Sequence, residues 1–279
     1  ITLANAYRAL ENYSEAAKYY EFSSKKLSKC QQLECYYMLG DYETFYKKLD
    51  EFSSTSSSHP LAATLSAHAA IRFDKKDNYN FCNDTFSFIQ KTNLYKVNEY
   101  NETLVKDLLD CFNRLKISTK AQSLLKNGVQ STGNIFLIEE QPIQKLKKII
   151  MHKIDVYKEK MASKKSDFIT YWPKDFFLYG WLIVMSEGGT LGFHMHKEGW
   201  MSGSLYLKRP KKLDKHDGDI VFSKHGSNYP TDGKFYEQRV VDINKGDMVL
   251  FPSSIFHGTV PFESKEQRIT LAFDIIPIE

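Results

Sequence analysis

Cysteine is scarce in this chain, and its placement excludes two uses of it. The 279 residues include 4 cysteines, Cys30, Cys35, Cys82 and Cys111, none in a Cys-x-x-Cys pair. Such spacing does not build the paired-thiolate knuckle of a structural zinc site. It reads as reduced, mostly buried thiols of a cytoplasmic protein. Long apolar runs are also missing. Nothing approaches the roughly 20 residues needed to span a bilayer, so no membrane partner is expected. No signal peptide is visible, and the chain opens on Ile1 rather than Met, which we read as a fragment of a longer chain. A strong charge imbalance is absent too. The 38 basic and 34 acidic side chains leave a formal net charge of +4. This is too weak and scattered for a nucleic-acid partner, but it suits a small anionic cosubstrate. The basic clusters at 145–148 and 208–215 read as solvated faces.

Apolar side chains are plentiful. The hydrophobic fraction is 42%, with 19 Phe and 17 Tyr, ample for one large domain or two ordinary ones. Their spacing changes along the chain. Up to residue 115 apolar and small residues recur at helical spacing, as in Leu3, Ala6, Tyr7 and Leu10, then Ala16, Ala17 and Tyr20. Two breaks have the same form: Leu10-Glu11-Asn12-Tyr13 and, 29 positions on, Leu39-Gly40-Asp41-Tyr42. A period of this size suggests stacked helix pairs. The first unit resembles a tetratricopeptide repeat, with Leu3, Ala4, Tyr7, Ala16 and Tyr20 at its signature positions. The second is weaker, with Phe45 at the small-residue position, and a third is expected from Ala69 through Phe73 and Phe86. The serine-rich run at 53–60 reads as a loop. Leu146, Ile149, Ile150, Ile154 and Tyr157 form one stripe, which predicts an amphipathic helix over 143–160.

Beyond residue 175 the period switches to two. Strands are expected at 178–185, 201–208, 219–222, 235–243, 248–251 and 268–275, with turns at Glu187-Gly188-Gly189, Asp217-Gly218, Asp232-Gly233 and Asn244-Lys245-Gly246-Asp247. Short strands without intervening helices imply an antiparallel sandwich or jelly roll.

The chemistry concentrates on these strands. In an extended strand residues two apart share a face, so His194 and His196 point one way and Met195 the other. A lone His-x-His is not by itself a metal site. Here His257 returns on a later strand, and Arg268 and Thr270 share a face on the next. Opposite them, Ile269, Leu271, Phe273 and Ile275 should pack on an apolar layer, leaving Arg268, Thr270, Ala272 and Asp274 to line a cavity. Three imidazoles beside a guanidinium form a layout that holds a metal-bound, negatively charged cosubstrate. Gln130, Asn134, Ser204 and Tyr206 are further candidates for the pocket, although Asn134 equally suits a turn cap and Tyr206 the strand core. Trp181 and Trp200 read as barrel packing, and His216 and His225 as surface residues.

Residues 128–279 resemble a family of 2-oxoglutarate- and iron(II)-dependent oxygenases often fused to tetratricopeptide repeats. The resemblance rests on GVQSTGNIF at 128–136, HMHKEGWMSGSLY at 194–206, LFPSSIFHGTVPF at 250–262 and RITLAFD at 268–274, taken in this order. It implies an α+β protein, with a helical repeat region at 1–115. A double-stranded β-helix, or jelly-roll, oxygenase domain follows at 116–279, with a supporting helix at its start. It implies Fe(II) as the metal, with 2-oxoglutarate and O2 as cosubstrates and His194 and His257 as ligands. His196 falls where the wider superfamily carries an Asp or Glu. Three readings follow: a three-histidine iron site, His196 one step removed from the metal, or another metal. Strand geometry favours the first. Arg268 and Thr270 match the pair that holds the far carboxylate of 2-oxoglutarate. No catalytic residue is expected beyond the metal centre. The implied reaction is hydroxylation; the substrate is a peptide or protein or a small molecule, and the repeats favour the peptide or protein. The rivals are a cupin-like three-histidine metalloenzyme that does not use 2-oxoglutarate and a repeat interaction protein with an inactive barrel. Because the repeats hold none of the site residues, they are expected to be dispensable for the metal chemistry.

Overall fold

In a computed structural model that describes residues 1–55, 58–82 and 84–278, the chain opens with five helices. They are α1 (Thr2–Ala9), α2 (Tyr13–Tyr20), α3 (Lys26–Leu39), α4 (Tyr42–Ser54) and α5 (Pro60–Arg72). The two matching breaks are helix punctuation. Glu11 and Gly40 both take left-handed backbone, with φ of 58° and 74°. The next residues, Asn12 and Asp41, cap the following helices by accepting from the backbone N–H of Glu15 and Thr44. Ala4, Ala16, Ala17 and Tyr20 gather around Cys35 in a small buried cluster, while Leu3 is left half exposed. All four cysteines are buried.

The third repeat unit does not form. Ala69 lies on α5, but residues 85–88 make a short 3-10 turn and Phe86 packs under the barrel beside Tyr206 and Phe222. Next comes a strand, β1 (Gln90–Asn93), in the stretch expected to be helical. Sheet pairing there overrides local propensity. The serine-rich loop is also shorter than expected, since Ser53 and Ser54 finish α4 and Pro60 opens α5; Ser56 and Ser57 lie outside the described residues. Three further helices follow: α6 (Glu102–Leu115), α7 (Gln141–Met161) and α8 (Asp167–Thr170). The expected amphipathic helix is α7, and its stripe from Leu146 to Tyr157 is buried. No described helix is long and apolar enough to cross a membrane.

The remaining strands are β2 (Thr119–Lys120), β3 (Leu125–Ser131), β4 (Phe176–His194), β5 (Met201–Lys208), β6 (Ile220–Ser223), β7 (Gln238–Val241), β8 (Asp247–Pro252), β9 (Phe256–Thr259) and β10 (Arg268–Pro277). All described pairings are antiparallel, in the order β1-β8-β5-β10-β4-β9-β6-β7, with β3 attached to β4 and β2 to β3. β1, β2 and β3 have no counterpart among the expected strands, β9 is the later strand, of unspecified bounds, expected to carry His257, and β7 is shorter than its expected span. The turn expected at Glu187-Gly188-Gly189 is not a chain reversal. β4 runs straight through it, with Gly188 at φ 72°, and the register with β3 slips at the same level. This is a bulge, in which the strand bends and continues.

β10 lies between β4 and β5, paired with both. One face carries Leu271, Phe273 and Ile275 into a hydrophobic cluster shared with Tyr37, Phe45, Leu61 and Leu65 of the N-terminal helices and with Ile150 and Ile154 of α7. The helices and the sheet thus share one core. β1 adds to this by pairing with β8, Gln90 opposite Leu250. Each of these large side chains contributes about 1.5–3 kcal/mol through burial. A chain starting at Ser118 exposes that cluster and loses an edge strand, so it is expected to aggregate or unfold. Circular dichroism melts and gel filtration check this. A monomeric fragment with a cooperative transition would show that the helices are dispensable after all.

Candidate metal centre and cosubstrate cavity

β4 ends on His194, and in the register of the sheet His194 faces His257 on β9 directly. His196 follows two residues on, in the loop leading to β5, where its backbone N–H is tied to the Ser253 carbonyl at 3.2 Å. The three rings lie with centroids 4.4 to 5.2 Å apart, and one nitrogen from each falls within 4.8 Å of the others. Every Nδ1 is engaged by an oxygen. That of His194 meets the Gly192 carbonyl at 2.9 Å, that of His257 the Ile255 carbonyl at 3.3 Å, and that of His196 the Asp274 carboxylate at 2.8 Å. An imidazole that donates from Nδ1 keeps its lone pair on Nε2. Burial drives the His194 pKa down to about 4, aided by repulsion from His196, and holds His257 well below its ordinary value. Neutral imidazoles are what a divalent metal requires.

The same period-two logic builds the cavity wall. On β10, Arg268, Thr270, Ala272 and Asp274 all face inward, opposite Met185, Ile183, Trp181 and Tyr179 of β4. The resulting cavity of about 230 Å³ contains the three histidines, Arg268 and Thr270, together with Gln130, Ser204 and Tyr206. Arg268 is only 3% exposed. Its Nε donates to the Gly218 carbonyl at 3.0 Å, its Nη1 donates to Thr270 Oγ1 at 2.9 Å, and the guanidinium sits 4.9 Å from the Tyr206 ring centroid. Among the described residues no carboxylate stands within ion-pair distance of it. Burial lowers its pKa without discharging it. A buried cation with neutral partners is costly unless an anion completes the site. The Tyr206 hydroxyl beside it is buried and makes no hydrogen bond of good geometry.

Of the remaining candidates, Asn134 stands apart from the cavity. Its side chain donates to the Leu178 carbonyl at 2.9 Å and accepts from the Gly180 N–H at 2.9 Å. It thereby satisfies an edge of β4 as a neighbouring strand would. Trp200 packs as expected, its Nε1 on the Phe168 carbonyl. Trp181 packs as expected, with Leu125, Ile183, Met185 and Leu191, and also lines the cavity 5.4 Å from the His196 ring. His216 sits at the surface on Asp219, whereas His225 is half-buried and its Nδ1 meets His68 Nε2 at 2.9 Å. Two contributions have no counterpart in the sequence reading. Lys120 reaches the cavity from a strand too short to show a period and Gln122 from the loop after it, and Asp274 acts on His196. The alternation along β10 already put Asp274 on the right face, but its partner was hidden.

The family described as "Putative 2OG-Fe(II) oxygenase" matches residues 179–274, a stretch that contains His194, His196, His257, Arg268 and Thr270. No curated protein matches the chain. Among solved structures, a prolyl-4-hydroxylase of Pseudomonas putida is similar at 13% identity and TM-score 0.46, covering 76% of this chain and 100% of that one. A viral collagen prolyl hydroxylase of Paramecium Bursaria Chlorella virus-1, solved with 2OG, is similar at 14% and 0.45, covering 68% and 97%. HygX of Streptomyces hygroscopicus, solved with nickel and 2-oxoglutarate, is similar at 12% and 0.46, covering 68% and 82%. The family match indicates a 2-oxoglutarate-dependent oxygenase, with Fe(II) as cofactor and 2-oxoglutarate and O2 as cosubstrates.

His194 titrates lower folded than unfolded, so the unfolded chain binds the extra proton. Its contribution to stability is complete above pH 6.5 and is lost as the pH falls from 6.5 toward about 4. In metal-free protein the urea midpoint should drop across this interval, and drop less in His194→Gln. Equal slopes for both chains would show that His194 is not buried as the neutral form.

Proposed function

We propose that the protein is a 2-oxoglutarate- and Fe(II)-dependent dioxygenase that hydroxylates a peptide or protein. The observation that carries this reading is the buried guanidinium of Arg268, unpaired with any described carboxylate, in the same cavity as three converging imidazoles. The donor set suits the metal: three nitrogens converge, each ring fixed through its other nitrogen. In this reading His194, His196 and His257 hold the iron, and Arg268 with Thr270 binds the far carboxylate of 2-oxoglutarate. A guanidinium pinned through Nε and Nη1 offers a fixed fork, which sets the cosubstrate's orientation as well as its affinity. Thr270 can donate its hydroxyl to the carboxylate while accepting from Arg268. When bound, iron couples loss of carbon dioxide from 2-oxoglutarate to transfer of one oxygen atom from O2 into a substrate C–H bond. The apolar wall of Trp181, Ile183 and Leu191 keeps water from that reaction.

The substrate's path is an open groove of about 530 Å³ that shares Lys120, Gln130, Trp181 and His196 with the cavity. It continues over Tyr179 and Phe177, alternate residues of β4, so the pleat lays an aromatic ladder toward the metal. An extended chain can follow such a ladder with one residue dipping to the iron. The division into a repeat-like scaffold at 1–115 and an oxygenase unit at 116–279 belongs to the same reading, with β1 contributed by the first unit to the sheet of the second. The buried cysteines are consistent with a cytoplasmic setting.

Arg268→Ala should weaken 2-oxoglutarate binding by about 2–5 kcal/mol, the penalty for removing one member of a buried charge pair. Arg268→Lys should recover part of it, because an ammonium lacks the fork. Calorimetry with metal present measures both. Unchanged affinity in Arg268→Ala would leave a three-histidine metalloenzyme that does not use this cosubstrate.

A further inference from the structure

Asp274 is a buried carboxylate with an unusual set of neighbours. It is 6% exposed, and among the described residues its one ion-pair partner is His196. Oδ1 receives the His196 Nδ1 at 2.8 Å and the Ser202 hydroxyl at 2.6 Å. Ser202 is fixed in turn by Ser253, with 2.7 Å between the hydroxyl oxygens. The loop approaches this cluster closely enough that residue 199 must be glycine: a Cβ there would lie 2.7 Å from Ser253 Oγ and 2.9 Å from Asp274 Cγ. The other two histidines rest on backbone carbonyls, so a full negative charge reaches only one of the three rings.

Resting on the metal reading above, we infer that Asp274 is a positioning residue. It locks His196 as the Nδ1–H tautomer and supplies, through that ring, the negative charge that an all-imidazole ligand set lacks. A carboxylate at Nδ1 raises the basicity of Nε2 and fixes the ring plane, as partners of metal-bound histidines do generally. The two groups solve each other's problem. The carboxylate would otherwise be buried without a cation, and the metal would otherwise keep its whole charge in a cavity already holding Arg268. The anion stands one imidazole away from the metal.

The test is a double-mutant cycle on the full chain, read by cobalt(II) binding alone, with calorimetry for affinity and visible absorption for coordination. Asp274→Asn keeps an acceptor at Nδ1 but removes the charge, and should weaken cobalt binding about 10- to 100-fold. His196→Asp moves a carboxylate onto the metal itself, so in that background Asp274→Asn should cost about twofold at most. A purely structural Asp274 gives the same loss in both backgrounds, which would overturn the inference while leaving the metal site intact. Wild-type protein that takes up no cobalt overturns the metal reading and the inference together. If Asp274→Asn does not fold, Ser202→Ala serves in the same cycle. It frees the carboxylate from one anchor, so a loss confined to the His196 background supports the inference and an equal loss in both rejects it.

Discussion

The pleat of β10 governs the rest of the molecule. Its alternation sends Leu271, Phe273 and Ile275 into the shared hydrophobic cluster and Arg268, Thr270 and Asp274 toward the cavity. Because the strand is paired on both edges, slipping it by one residue would exchange the two sets. That exchange would bury a guanidinium and a carboxylate among helices and open three apolar side chains to the site. Register is therefore enforced by stability and function together.

The cavity in turn is arranged around charge. Burial disfavours the charged forms of His194 and His257, one guanidinium is buried without a described carboxylate partner, and one carboxylate lies against the His196 ring. Each would be unfavourable alone. A divalent cation and a dianionic keto acid would complete all of them. The helical half supports this arrangement at close range. Glu34 of α3 holds Lys197, the residue after His196, with both carboxylate oxygens at 2.7 Å, and also accepts from the Tyr229 hydroxyl at 2.6 Å.

How much of this was legible in the sequence follows from the range of the forces involved. The shared face of Arg268 and Thr270 is a property of strand periodicity, whereas His196 lies beyond the end of β4 and is placed by its loop and the Ser253 carbonyl; the structure brings all four, with His257, to one cavity. The stripe on α7 was equally local. What escaped depends on distant partners. β1 is a polar tetrapeptide whose strand character comes from β8, and β9, whose bounds escaped, is short and follows a proline. Gln130 and Ser204 line the cavity, the former from β3, which the sequence pattern did not reveal. Of the two readings of Asn134 the turn cap holds, since its side chain accepts from the Phe136 N–H at 3.1 Å, while its part in completing a strand edge depends on the distant β4. The 29-residue self-similarity did mark real helix ends, yet it overran into Phe86, which the barrel claims.

The position of β10 in the chain has a kinetic consequence. It is a central strand flanked by β4 and β5, yet it follows every strand it touches in order of synthesis. Its two neighbours cannot zip to each other without sealing the slot it must fill, so the nascent barrel has to wait, half open, for the segment 268–277. All three histidines emerge from the ribosome before that moment, whereas the arginine and aspartate that tame their chemistry arrive with the final insertion. Long-range insertion of this kind is slow. The helices, made first, supply apolar side chains against which Leu271, Phe273 and Ile275 of the last strand close.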